Sequence, residues 1–180
     1  MKLLILAGTH HQPFDRLVEA GAGLAAAGHE VVVQRGVSRV RPQGCRVVDV
    51  VSPDALAELA RHADAFITHG GTGSVHLAWE HGAVPLVVPR RARLGEHVDD
   101  HQVSFASSLG DRAMVVHDVS ALAAVLARDG ATLRADPRRP GPPSPPLLEG
   151  LACEVQRLVV DRATRRGIRR WLSSLLAGPR

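Results

Sequence analysis

Residues 67–89 read ITHGGTGSVHLAWEHGAVPLVVP, and this stretch decides the fold. A short apolar run breaks at a glycine-rich turn, resumes with helical periodicity and ends in a second apolar run. This order predicts strand, loop, helix and strand. Gly70, Gly71 and Gly73 permit positive φ angles and close backbone approach, so the first amides of the helix can point at an anion. The turn therefore predicts a phosphate-binding site.

The turn differs from the two best-known phosphate loops. It contains neither GxxxxGK[ST], the P-loop pattern, nor GxGxxG, the dinucleotide pattern. A nucleotide is still a candidate ligand, since Thr72 and Ser74 add hydroxyl donors to the backbone amides.

Apolar runs alternate with helical patterns along most of the chain. The predicted strands cover residues 2–7, 30–34, 46–51, 65–68, 86–89 and 113–116. The predicted helices carry apolar positions within 14–24, 53–60, 103–109 and 120–128, and Ser52 is the expected cap of the second. This alternation predicts an α/β fold with a Rossmann-like, doubly wound parallel sheet. The glycine turns at Gly8 and Gly70 would then open on the same sheet edge.

Length and composition fit one domain with an appendage. The 180 residues are 45% hydrophobic, enough for a nucleotide-binding domain over residues 1–130. Residues 131–146 contain a proline-rich stretch that predicts a linker. In residues 147–180, leucines and valines recur at helical spacing on both sides of a cluster of arginines, which predicts a basic amphipathic helix. That helix either packs back on the domain or contacts an anionic membrane surface or a partner subunit.

The composition disfavours several classes of protein. Cys45 and Cys153 form no CxxC motif, which argues against a disulfide framework and fits a reducing compartment. Aromatic residues are only 3% of the chain, so nucleic-acid binding by stacking is poorly supported despite the net charge of +4. The first apolar run is too short for a signal peptide, and no long apolar span follows. We therefore expect a soluble, cytoplasmic protein.

Three motifs together resemble one enzyme family. They are GTHHQPFDRL at 8–17, HGGTGS at 69–74 and GEHVDDHQ at 95–102. In this order they resemble the donor-binding half of the GT-B glycosyltransferases of family 28. The chain looks most like the small cytoplasmic catalytic subunits of two-component transferases. These are the bacterial exopolysaccharide β-1,4-glycosyltransferase subunits and the related subunit of the dolichol-linked N-acetylglucosaminyl transferase. The resemblance covers residues 1–128.

The resemblance implies a single GT-B half that binds a UDP-sugar. The glycine loops would surround the diphosphate with no metal or other cofactor, and GEHVDDHQ would lie near the donor sugar. The sugar would pass with inversion to a lipid-linked or polysaccharide acceptor. A membrane-anchored partner would supply the acceptor half at the inner face of the plasma membrane. A non-catalytic nucleotide-sugar-binding or regulatory subunit, and an isomerase or hydrolase, stay open as alternatives.

The predicted site residues come from the three motifs and from the strand end before the third. The predicted substrate-binding residues are Gly8, Thr9, His10, His69, Gly70, Gly71, Thr72, Gly73, Ser74, Arg90, Glu96, His97, Asp100, His101 and Gln102. His10 is also the candidate for a catalytic role, assisting the departing diphosphate. Arg90 either neutralises diphosphate charge or is solvated surface. Asp100 and Gln102 suit vicinal hydroxyls, and the resemblance favours Gln102 as a donor-sugar contact.

GEHVDDHQ has two further interpretations. His97 and His101, at helical spacing, would pair with a carboxylate in a zinc site, but the HExxH order is absent and we expect no metal. Alternatively, Asp99 or Asp100 caps the helix that follows.

Two departures from the family pattern affect the nucleotide site. Relatives that form lipid II or the dolichol-linked disaccharide carry a glutamate three residues after the Ser or Thr of the glycine loop, where it holds ribose hydroxyls. Leu77 takes that place here. Glu80 lies one helical turn further on a similar face and is the candidate replacement. The GAVP turn at 82–85 is also one residue longer than the usual GxP.

Overall fold

Parallel strands alternate with helices throughout residues 1–136 and 138, the part of the chain that the computed structural model describes. The strands are β1 (Lys2–Leu6), β2 (Glu30–Gln34), β3 (Arg46–Val48), β4 (Ala65–His69), β5 (Leu86–Val88) and β6 (Met114–Val115). The α-helices are α1 (Asp15–Ala26), α2 (Pro53–Arg61), α3 (Thr72–Glu80), α4 (His101–Ser108) and α5 (Leu122–Leu133). Short 3-10 turns lie at Ala92–Leu94, Gly110–Arg112 and Val119–Ala121.

The six strands form one parallel sheet in the order β3-β2-β1-β4-β5-β6. Leu3 of β1 lies opposite Val31 of β2 on one side and opposite Ala65 of β4 on the other. The strand order therefore reverses between β1 and β4, which creates a crevice at the carboxyl ends of these two strands. The predicted doubly wound α/β fold is confirmed, and Gly8 and Gly70 follow the two strands at this switch point.

The sheet is buried on both faces, which explains the uninterrupted apolar run of β1. Leu3 and Ile5 pack with α1 and α5 in one hydrophobic cluster. Leu4 and Leu6 face the opposite side, where residues of α2 and α3 cover them. A third cluster around Trp79 joins α3 to β5 and α4. Because helices hold both faces, the loops at the carboxyl edge start from fixed positions.

The ends of the elements follow local chemistry. Ser52 caps α2 as predicted, since its side chain accepts a hydrogen bond from the amide of Ala55 at 3.3 Å and Pro53 opens the helix. β3 ends at Val48 rather than at residue 51. The next residue, Asp49, leaves the strand and pairs with Arg35. Helix α5 continues to Leu133, beyond the predicted end at residue 128.

The rest of the predicted proline-rich linker after residue 138 and the predicted basic helix at 147–180 lie outside the described residues. Within residues 1–136 and 138, no helix has the length and apolar character to cross a membrane.

Candidate functional site

A cavity of about 620 Å³ lies at the point where the strand order reverses. We call it the switch-point cleft. Its polar side consists of Gly8, Thr9, Gln34, His69, Gly71, Thr72, Gly73 and Ser74. Its apolar side consists of Leu6, Val50, Val51, Pro53, Leu56 and Ala57, and its far end of His76, Leu77 and Glu80. The cleft thus joins the first two sequence motifs at one sheet edge, as predicted.

Helix α3 begins inside the cleft. Its N-cap, Gly71, makes no side-chain capping hydrogen bond, so the first amides of the helix receive no cap from that residue. A Cβ atom added at Gly73 would meet no atom within 4 Å, so the backbone there borders open space. The helix dipole places partial positive charge at this end, which favours an anion.

His69 separates the two glycine loops. A Cβ at Gly8 would lie 2.7 Å from its Nε2 atom, and a Cβ at Gly71 would lie 2.2 Å from the same atom, so the ring leaves room only for glycine. Nδ1 lies 3.3 Å from both the Leu6 carbonyl oxygen and Ser74 Oγ. Since a carbonyl can only accept, this network assigns the hydrogen to Nδ1. Ser74 Oγ then accepts from Nδ1, and the hydroxyl hydrogen of Ser74 can be donated to a ligand.

The His69 imidazole is neutral at physiological pH. Its ring is partly exposed, yet the surrounding protein removes enough water to lower its pKa to about 4, with the charge of Arg90 as the second cause. The hydrogen bond to Leu6 opposes this shift without cancelling it. His69 therefore supplies shape and hydrogen bonding to the cleft rather than positive charge.

Gln34 fixes the loop after β1. Its Oε1 accepts from the amide of Gly8 at 3.1 Å, and its Nε2 donates to the carbonyls of Gly8 and Asp49 at 3.3 and 3.0 Å. Gly36, with a φ angle of +58°, comes so close that an added Cβ would lie 2.2 Å from the Gly8 oxygen. Sequence reasoning missed Gln34, although a glutamine that ends an apolar strand was a usable signal.

Arg90 is buried and holds several loops together. Its side chain is only 1% exposed. Nη1 donates to the carbonyls of Gln12 and Glu96, both at 2.7 Å, and Nη2 donates to the carbonyl of Ala7 at 2.9 Å. Burial lowers its pKa to about 10, so it stays charged at neutral pH. The solvated-surface alternative for Arg90 is therefore wrong, and the group acts on the cleft only at a distance.

Glu96 has a structural role as well, and its predicted contact with the substrate stays a prediction. Its carboxylate pairs with Arg16 through contacts of 2.6 and 3.0 Å, and Oε2 also accepts from the amide of Arg91 at 3.0 Å. The side chain is buried, and internal donors engage both oxygens. Arg16 is a second residue that sequence reasoning missed, because its partner lies 80 positions away.

The third motif lies beside the glycine loop without lining the cavity. A Cβ at Gly70 would lie 2.9 Å from Gln102 Cβ, so helix α4 packs directly against this glycine. Gln102 is buried, and its Oε1 accepts from the amide of Arg90 at 3.3 Å. Asp100 precedes α4 and accepts from the amide of Ala92 at 2.9 Å. The predicted sugar contacts of both residues stay predictions.

Imidazole rings group around the same motif. His10 stacks on His97 with ring centres 4.1 Å apart, and His97 meets His101 edge-on at 4.4 Å. Burial, neighbouring imidazoles and the charge of Arg90 lower the pKa of both His10 and His97. Helix α4 begins at His101, so His97 precedes the helix rather than sharing a face of it. Even so, His97, Asp99 and His101 bring potential metal-ligand atoms within 4.8 Å of one another.

Leu77 and Glu80 both line the far end of the cleft. Glu80 is exposed, and one of its carboxylate oxygens lies 3.4 Å from His76 Nε2. Glu80, the predicted replacement for the ribose-binding glutamate, therefore borders the cavity from the turn of α3 that follows Leu77.

Comparison with known proteins gives a family match. The model of the glycosyltransferase family 28 C-terminal domain matches residues 2–140. No curated protein matches the chain.

Several solved structures are similar to this one. Three of them are SnogD from Streptomyces nogalater (22% identity, TM-score 0.49), the glycotransferase of kitacinnamycin (20%, 0.52) and SsfS6 from Streptomyces sp. SF2575 (20%, 0.48). Each alignment covers 73% of this chain but only 34%, 36% and 33% of the respective solved chain. The chain therefore spans about a third of their length, and the kitacinnamycin match supports the fold alone.

We expect Arg90→Met to destabilise the folded state by about 3 kcal/mol or more, because it leaves the carbonyls of Ala7, Gln12 and Glu96 without the buried guanidinium that donates to them. Arg93→Met is the control, since Arg93 is exposed and its removal should change stability by less than about 0.5 kcal/mol. Urea unfolding of both variants measures the difference. Equal stabilities would contradict the role assigned to Arg90.

We expect stability to fall as the pH drops from 6.5 towards 4. In that window the unfolded chain binds a proton at His69, whose ordinary pKa is 6.5, while the folded chain, with a pKa of about 4, does not. His69→Gln should lose less stability over the same range. Urea unfolding at pH 7 and pH 4.5 checks this, and parallel losses in both proteins would refute it.

Proposed function

The chain belongs to the glycosyltransferase family 28 C-terminal domain family, and on that premise we propose that it is the donor-binding subunit of a UDP-sugar-dependent hexosyltransferase. The sugar passes with inversion to a lipid-linked or polysaccharide acceptor. The observation that carries the proposal is the switch-point cleft, where two glycine loops and an open helix N-terminus meet.

The diphosphate occupies the polar side of the cleft. Amides of residues 71–74 hold one phosphoryl group through the start of α3, and Gly8 with Thr9 holds the other. The Ser74 hydroxyl adds a donor, because the His69 hydrogen bond leaves its hydrogen free. The leaving UDP is thus stabilised by fixed dipoles and by the more distant charge of Arg90, without a metal.

The nucleoside occupies the apolar side and the far end. Val50, Val51 and Pro53 form an apolar wall against which the pyrimidine ring packs. Glu80 accepts from the ribose hydroxyls in place of the glutamate that Leu77 replaces. This arrangement points the sugar towards Gly70, where Gln102 and the third motif lie.

His10 is the candidate for direct assistance to the leaving group. It follows Thr9 in the loop after β1, and its ring is held by stacking on His97 at 4.1 Å. Because burial lowers its pKa, His10 is neutral and would act as a hydrogen-bond donor rather than as a charge.

A membrane-anchored partner supplies the acceptor-binding half and the general base. The motifs support this, since they resemble subunits of two-component exopolysaccharide and dolichol-linked transferases. Catalysis then takes place where the two subunits meet at the cytoplasmic face of the membrane. The predicted basic helix at 147–180 is the candidate for docking there.

A second candidate function is binding of a nucleotide-sugar without transfer. Leu77 favours it, because a position that holds ribose in the relatives lacks its carboxylate here. Release of UDP from a UDP-sugar, in the presence of the partner and a lipid-linked acceptor, separates the two functions.

We expect Gly73→Val to lower the affinity for UDP at least about tenfold, or about 1.4 kcal/mol. Its Cβ atom would have no protein atom within 4 Å and would enter the space at the start of α3 where the proposed diphosphate lies. Calorimetric titration with UDP and UDP-sugars measures the change.

Gly23→Val is the matched control for this titration. Gly23 lies in helix α1, away from the cleft, and a Cβ there also meets no atom within 4 Å. Its UDP affinity should equal that of the wild type. A wild type that binds no UDP would refute both the transferase and the binding proposals.

We expect Glu80→Gln to weaken UDP binding by about ten- to a hundredfold, the effect of losing a charge-assisted hydrogen bond. The same substitution should leave the affinity for 2′,3′-dideoxy-UDP unchanged, because this analogue lacks the hydroxyls that Glu80 holds. Titration of both ligands tests the assignment. Equal losses for the two ligands would show that Glu80 does not contact the ribose.

A further inference from the structure

A cluster of two imidazoles and a carboxylate lies just before and at the start of helix α4, outside the lining of the switch-point cleft. We propose that His97, Asp99 and His101 bind a first-row transition-metal ion, with zinc as the preferred ion. The proposal does not rest on the proposed function, which assigns no metal to UDP-sugar binding.

The spacing of the three side chains fits one ion. One ligand atom from each side chain lies within 4.8 Å of the other two, and His97 Nδ1 lies 3.5 Å from Asp99 Oδ1. Tetrahedral zinc with bonds of about 2.0–2.1 Å holds its ligand atoms about 3.3 Å apart, close to this value. His101 Nδ1 is hydrogen-bonded to the same Asp99 oxygen. That contact can open to admit an ion, because both side chains are more than half exposed.

A second observation concerns the buried member of the cluster. His97 is only 8% exposed, and its Nδ1 has no hydrogen-bond partner among the described residues. Buried ring nitrogens are normally satisfied, so this atom is suited to an additional partner. The stacked ring of His10 restrains the orientation of the His97 ring.

The donor set defines the class of ion. Two imidazoles and one carboxylate suit Zn²⁺, Co²⁺ or Ni²⁺, whereas Mg²⁺ prefers oxygen ligands. Three protein ligands also leave a coordination position for water or an anion. A bound ion would tie the segment before α4 to the helix itself. Through the stack of His97 on His10, it would also restrain the loop after β1.

The test is a titration of the full chain with Co²⁺, after removal of any affinity tag and of metals by a chelator. Wild type should bind one ion and develop the visible absorption of a protein-bound Co²⁺ site, which Zn²⁺ abolishes and Mg²⁺ does not. Asp99→Asn and His101→Ala change exposed side chains. Each should weaken binding at least about tenfold, since even the loss of an outer-shell partner has an effect of this size.

His62→Ala is the matched control. His62 is an exposed histidine that pairs with Glu58 on helix α2, a histidine–carboxylate contact outside the proposed site. It should bind Co²⁺ like the wild type. Equal Co²⁺ affinity in wild type, Asp99→Asn and His101→Ala, or no Co²⁺ absorption in the wild type, would overturn the proposal. UDP titration in the presence of chelator reports separately on the proposed function.

Discussion

The guanidinium of Arg90 donates hydrogen bonds to main-chain carbonyls in the loops that follow β1 and β5. It is the largest of the fully buried side chains in the described residues, and it carries a charge that cannot be left unsolvated. Carbonyl oxygens from separate loops must therefore converge on it. The Arg16–Glu96 ion pair closes the same region from the outside. The shape of the carboxyl edge, including the position of the third motif, depends on this convergence.

The electrostatics of the cleft follow from that arrangement. Burial and the nearby cation lower the pKa values of His69, His10 and His97, which disfavours protonation of these rings at neutral pH, where Arg90 is charged. The positive potential at the glycine loops then comes from the start of α3 and from Arg90 rather than from protonated histidines. Such a site is preorganised, because its dipoles are fixed by the fold and need no proton uptake to receive an anion.

The burial and the partners of several polar residues could not be predicted from the sequence. The apolar runs and glycine turns predicted all six strands and the shared edge of Gly8 and Gly70, because hydrophobic periodicity and backbone freedom are local properties. Arg90 and Glu96 were expected near the ligand or solvent, since charged side chains are seldom buried. Their burial depends on partners far away in the chain, as the Arg16–Glu96 pair shows. Gln34 was missed for the same reason.

The sequence by itself determined the parallel α/β architecture, the anion-binding outline of the turn at residues 70–74 and the likeness to family 28 glycosyltransferases. Each depends on patterns within short stretches of the chain and on the order of those stretches. Only the tertiary structure decided that His69 separates the two glycine loops, that Arg90 holds the edge together and that His10 stacks on His97. These contacts arise when the sheet brings distant loops to one edge, so packing and desolvation, rather than local pattern, determine what each polar group does.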